Sequence, residues 1–236
     1  MKPILAAIIV ALTGLGACVS EGAVITFNFT GTDPGQSSPW TQTSELDPNA
    51  TLQTGFSIGP GLLGSTGDDR FNARNWTVGG TLATAIGNGD YFGFVITPNS
   101  GHILNLNSAT ATFTLQVSGS GPTTYALMSS LGGFADGAEL QTGTGIANAT
   151  SSLLFTFGAT GYDDIVGPVE FRIYGYGGTS LAGTMSANAF SLGGTITPVP
   201  EPAEWGLICA MGLLGVCGLH SWRERRRALR QSPSAS

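Results

Sequence analysis

Residues Ala109–Val117 read "ATATFTLQV" and alternate strictly: Ala109, Ala111, Phe113, Leu115 and Val117 are apolar, while Thr110, Thr112, Thr114 and Gln116 are polar. Successive side chains of an extended chain point to opposite faces, so a period of two marks a strand with one face buried and one in water. The same pattern recurs along the chain. It places Ile25, Phe27 and Phe29 of "VITFNFT" inward, with Phe92, Phe94 and Ile96 of "YFGFVIT". It does the same for Leu153, Phe155 and Phe157 of "SLLFTFG", and for Val169, Phe171 and Ile173 of "PVEFRIYGY". Between these segments lie "GNGD", "TPNSG" and "SGSGP", whose residues tolerate positive φ or bond their own backbone. No helical stripe of comparable strength occurs, and no fixed-period repeat points to a propeller or solenoid. Many short strands with one apolar face must stack as two sheets, which predicts an all-β antiparallel sandwich. The Pro-, Gly- and Ser-rich stretch from Gly31 to Asn49 reads as an exposed early loop.

The sandwich is expected over 24–197, between two hydrophobic ends. Over that span Arg70, Arg74 and Arg172 face eleven carboxylates and no lysine, a net charge of −8. The whole-chain value of −6 understates this acidity because the arginines of the tail mask it. Such a surface repels phosphate backbones and argues against nucleic acid as a partner. All three cysteines, Cys18, Cys209 and Cys217, lie outside the span. Stability of the sandwich must therefore come from packing, without disulfides or a thiolate metal site.

The two ends have the character of targeting segments. Lys2 followed by the apolar run Ile4–Gly16 gives the charged start and short hydrophobic core of a secretory signal, here assigned to 1–23. Cleavage after Ala23 is one reading; "LGAC" at Leu15–Cys18 allows a lipoprotein-type start at Cys18. At the other end, 205–222 carries no fixed charge and as a helix would be roughly 27 Å long, close to the ~30 Å of a hydrocarbon core. Trp205 and Trp222 bracket it, and Arg223, Arg225, Arg226 and Arg227 come next as a basic stop-transfer cluster in the tail 223–236. Cationic flanks stay cytoplasmic, so the sandwich is expected outside the cell. The segment 198–204 links sandwich and helix. In it Pro200 and Pro202 lock φ and lack N–H donors, holding Glu201 extended just outside the membrane.

"VPEP" at Val199–Pro202, an apolar helix and "RERRR" in that order resemble the PEP-CTERM sorting signal of exported Gram-negative proteins. The resemblance implies recognition of Val199, Pro200, Glu201 and Pro202 by an exosortase, a membrane-embedded transpeptidase. It also implies an inner-membrane precursor, then delivery to the cell surface or extracellular matrix in association with exopolysaccharide. "DRFNARNW", the run from Tyr91 to Gly137 and "VEFRIYGYGGTS" look like the jelly-roll-type domain common in such proteins. Gly132, and Ala187 with Asn188, stand where those relatives carry acids, so no ligand role passes to them.

Catalytic signatures are thin. No G-x-S-x-G elbow, H-E-x-x-H or P-loop is present, and His102 is the lone histidine of the span, in a turn entering a strand. The reading is therefore non-enzymatic and without a cofactor. Asp68–Asp69 and Asp163–Asp164 are the acid pairs that could hold a structural calcium or serve a glycosidase. Tyr174 and Tyr176 share the outward parity of Glu170 and Arg172 and form the strip expected to face a glycan. Two functions compete: a sorted envelope or exopolysaccharide-matrix component, and alternatively a surface carbohydrate-binding module. A secreted hydrolase ranks third.

Overall fold

A computed structural model describes residues 22–31, 38–145, 148–158 and 160–199. The first half contains β1 (Gly22–Asn28), β2 (Glu45–Leu46), β3 (Ala50–Ile58), β4 (Leu63–Gly64), β5 (Phe71–Arg74), α1 (Leu82–Asn88), β6 (Tyr91–Pro98) and β7 (His102–Asn105). The second half contains β8 (Thr110–Val117), β9 (Thr124–Ser129), β10 (Gln141–Thr144), β11 (Thr150–Thr156), β12 (Val169–Tyr176) and β13 (Thr184–Pro198). They form two sheets. The larger, of eight strands, runs β11-β8-β13-β1-β2, with β5 and β7 also paired to β13 and β4 paired to β5. The smaller runs β10-β9-β12-β6-β3, and all ladders are antiparallel.

The alternating residues do what their period requires. Ala111, Phe113, Leu115 and Val117 are buried, as are Ile25, Phe27, Phe29, Phe92, Phe94, Ile96, Phe155, Phe157, Val169, Phe171 and Ile173. Leu153 packs against the core while remaining partly exposed. Between the sheets the rings interlock: Phe56 lies 5.3 Å from both Phe27 and Phe71, and Phe94 lies 5.2 Å from Phe190. Tilted and edge-on contacts at these distances satisfy the ring quadrupoles and add to area burial.

β13 is the spine. Along its fifteen residues it pairs with β5, β8, β1 and β7 in turn. A bulge at Asn188 moves the buried parity from Met185 and Ala187 to Phe190 and Leu192, at the point where one edge of the strand passes from β5 to β1 while the other stays on β8. At about 3.3 Å per residue the strand spans roughly 45 Å. Its Thr184 end pairs with Arg74, whereas its Pro198 end pairs with His102. Gly22, where the described chain begins, pairs with Gly194 near that second end, so chain entry and exit share one pole of the sandwich.

Two expectations need correction. The stretch Gly31–Asn49 is not simply an exposed loop: Trp40 exchanges backbone hydrogen bonds with Phe56 at 2.7 and 2.8 Å, and β2 extends the sheet from β1. Trp40 also packs its ring on Phe29 at 6.1 Å. A seven-residue helix, α1, is present where the sequence shows no helical stripe. It buries only Leu82 and Ala85, too few apolar positions to register as a period, and ends at Gly89 with φ +74°.

Candidate functional site

The outer face of the smaller sheet carries the strip expected to meet a glycan. Parity is as read, but exposure is not: Tyr174 is fully buried, because α1 lies over it. Leu82, Ala85, Ala126, Met128 and Tyr174 form a second, smaller core, with Ile86, Tyr91, Phe134, Ala138 and Tyr176 packed at its margin. Tyr176 is half-buried there. Burial pushes the phenols of Tyr174 and Tyr176 above their ordinary range. At the margin Arg172 donates from Nε to Glu170 at 2.6 Å and from Nη1 to the Tyr174 hydroxyl at 3.2 Å. Its guanidinium lies 4.4 Å from the Tyr91 ring centre and 3.9 Å from that of Phe134. Burial works against that charge, yet the bonds to Glu170 and Tyr174 outweigh it and hold the pKa up. These ring faces are occupied by an arginine of the same chain, so the cluster reads as a clamp on the 130–140 loop.

The remaining sequence candidates stay apart. Asp68, Asp69, Asp163 and Asp164 are all exposed; Asp69 accepts from the Gly31 N–H at 2.6 Å, and both Asp69 and Asp164 have positive φ. Among the described residues no group of three or more metal-ligating side chains comes together. His102 opens β7, with Nδ1 3.3 Å from the Ser100 carbonyl oxygen. Val199 is exposed, and its N–H donates to the Gly101 carbonyl at 2.8 Å. Pro200, Glu201, Pro202, the 205–222 helix and Arg223, Arg225, Arg226 and Arg227 lie outside the described residues.

The built site is elsewhere, at the pole where β13 begins. Two adjacent cavities of about 390 and 220 Å³ share Asn75 and Leu181 as lining. The larger falls at the lower end of small-molecule sites. Its floor is Thr77 and Asp90, both buried; its mouth carries Thr84, Asn88 and Val78. The smaller adds Leu63, Arg74 and Ala182. Leu63, Val78 and Leu181 are among the few large apolar residues left open, at 53%, 46% and 58% exposure. Polar floor and apolar rim suit a ligand with both kinds of surface.

Local structure fixes the polar groups. Thr77 donates its hydroxyl to Asp90 Oδ2 at 2.6 Å and accepts from Asn88 Nδ2 at 3.1 Å. Asn75, with φ +72°, donates Nδ2 to the Gly61 carbonyl at 2.7 Å, while its own N–H bonds the Leu181 carbonyl at 2.9 Å. Gly61 must be glycine: a Cβ there would collide with the Asp90 carboxylate and the Asn88 carbonyl. Asp90 is 2% exposed, and its Oδ1 has no hydrogen-bond partner among the described residues. Burial pushes its carboxyl above the usual range, opposed by the hydrogen bonds from Thr77 and Asn88. The sequence offered little signal here, since "GNGD" reads as an ordinary turn and the lone acid that ends it as a solvated charge.

No family model matches the chain, and no curated protein matches it. Solved structures resemble it weakly. A family two carbohydrate esterase from Clostridium thermocellum in complex with cellohexaose aligns at 16% identity and TM-score 0.32, over 63% of this chain and 34% of that one. The chain thus spans about a third of that protein's length, and only 27% of the Cellvibrio japonicus xylanase 10C. The xylan-binding module CBM15 aligns at 13% identity and TM-score 0.36, over 76% of this chain and 99% of that one. The adhesin domain of Lys-gingipain from Porphyromonas gingivalis aligns at 17% and 0.34, over 76% and 100%. Likeness at this level carries no conclusion about ligand or activity.

Proposed function

We propose that this chain is an exported, non-enzymatic β-sandwich that binds polysaccharide at the cell surface or in the extracellular matrix. Its tail serves as the delivery signal, and its ligand site is the cavity pair around Asn75. The carrying observation is the placement of that pair. The cavities lie where β13 begins, beside the Arg74–Thr184 pair, and the chain leaves for its tail at the other end of β13, roughly 45 Å away. A sandwich held to a membrane by the segment beyond Val199 would therefore turn its cavities outward, toward extracellular polymer. Oxygen-rich side chains between exposed Leu63, Val78 and Leu181 suit a sugar, which offers hydroxyls at its rim and C–H surface on its faces. Asp90 is the single carboxylate among the described lining residues, whereas glycoside hydrolysis requires a pair.

A glycan array probed with the full-length chain in non-ionic detergent tests the reading. Binding to a defined set of glycans, lost in Asn75→Ala, is the expected result. Silence across the array, or binding untouched by that change, overturns it and leaves a purely structural matrix role.

A further inference from the structure

We infer that the Asp90 cavity selects an amine-bearing sugar, so that the polymer recognised is cationic; this rests on the carbohydrate-binding reading and narrows it. The side chains lining the cavity present mainly hydrogen-bond acceptors. Asn75 must direct its amide nitrogen at the Gly61 carbonyl, because a carbonyl only accepts. Asn88 must direct its nitrogen at Thr77, whose one hydroxyl proton goes to Asp90. The orientations are dictated by the partners' chemistry, and neither amide oxygen has a partner among the described residues. Beneath them lies a carboxylate 2% exposed with Oδ1 unpartnered and no ion pair, since Arg172–Glu170 is the only salt bridge among the described residues. The Asn88 carbonyl, at the C-terminal end of α1, faces the same Gly61 as that carboxylate and adds negative dipole.

An acceptor-rich site over a buried, uncompensated negative charge favours a ligand that donates and is positive. A neutral sugar hydroxyl supplies one proton and no charge; an ammonium supplies three protons and the missing charge. The surroundings agree, because a lysine-free sandwich of net charge −8 attracts a polycation along its whole length. Arg74, exposed in the neighbouring cavity, is the one cation of the lining, and it makes the opposite case, uronic-acid recognition, the competing outcome.

The test uses the full-length chain in non-ionic detergent, titrated calorimetrically with three β-1,4-linked hexamers of glucosamine, N-acetylglucosamine and glucose, and with a hexa-uronate. Glucosamine hexamer is expected to bind at least tenfold more tightly than the others. Asp90→Asn, nearly isosteric and checked by circular dichroism, is expected to reduce that affinity at least tenfold. Non-specific attraction to an acidic surface would scarcely notice one charge in a net of eight. Asn88→Ala, at the exposed mouth, is expected to weaken the same hexamer and provides the readout should Asp90→Asn fail to fold. Equal binding of the neutral hexamers, preference for the uronate, or indifference to the cavity variants overturns the amine inference, while saturable, Asn75-dependent binding leaves the carbohydrate reading intact. No binding of any oligosaccharide overturns both.

Discussion

Asp90 concentrates the physics of the molecule in one side chain. A carboxylate removed from water, with one oxygen unpartnered among the described residues, is penalised in its charged form, and its folded pKa lies above the 3.8 of an unperturbed aspartate. The folded state then binds more protons than the unfolded state between those two values, so stability from this group is highest at low pH and falls as pH rises through the window. Above the folded pKa the full penalty is present. Asp90→Asn removes it, retains an acceptor for Thr77 and offers an N–H toward the nearby Asn88 carbonyl. Melting curves from about pH 3.5 to about pH 7.5 should show the variant more stable at neutral pH, with the difference closing as pH falls toward about 4. A constant difference would mean that Asp90 does not titrate in that range.

Among the elements, five strands, β1, β6, β8, β11 and β12, were legible, while β3, β9, β13 and the short coverings were not. β8, β6 and β12 declare themselves through alternation, because every second side chain of each enters the core between the sheets. α1 is about two turns, and its hold on the fold comes from Leu82 and Ala85 resting on β12, which no local pattern encodes. That covering reverses the meaning of Tyr174. On an open face its truncation would cost little; under α1, Tyr174→Ala should destabilise by about 3–5 kcal/mol, the range for losing a large buried aromatic. Chemical denaturation measures it, and a loss below about 1 kcal/mol would show that α1 does not seal that face. β2 and the Trp40 bridge were hidden for a related reason. Their pairing partners, β1 and Phe56, lie in other segments of the chain, while their own composition is that of a turn.

For the whole molecule, β13 matters most, since it joins the pole with the cavities to the pole where the chain runs on into the Pro-Glu-Pro segment. Only one residue, Val199, separates the last strand residue from Pro200, and its N–H is tied to Gly101. In sequence, the Pro-Glu-Pro tag thus begins two residues after the last residue of β13. If the tail is the address we propose, Glu201→Ala should leave export intact but hold uncut chain in the inner membrane. Mass spectrometry of the wild-type protein isolated from the cell surface or matrix should find a C-terminus upstream of Ser236. An intact Ser236 on normally delivered material would remove the transpeptidase step.

Periodicity, charge and cysteine placement determined the all-β class, the inward residues of β1, β6, β8, β11 and β12, and the thiol-free acidic character of 24–197. These are properties of neighbours in sequence, and solvent partition acts on them locally. Tertiary structure alone decided that Tyr174 is covered, that Asp90 is buried beside Asn75 and Asn88, and that cavities and chain exit lie at opposite poles. Each depends on contacts between segments far apart in the chain, such as Leu181 with Asn75 or Gly22 with Gly194. Whether an outward side chain meets water or another element is a fact about the second segment, and nothing in the first records it.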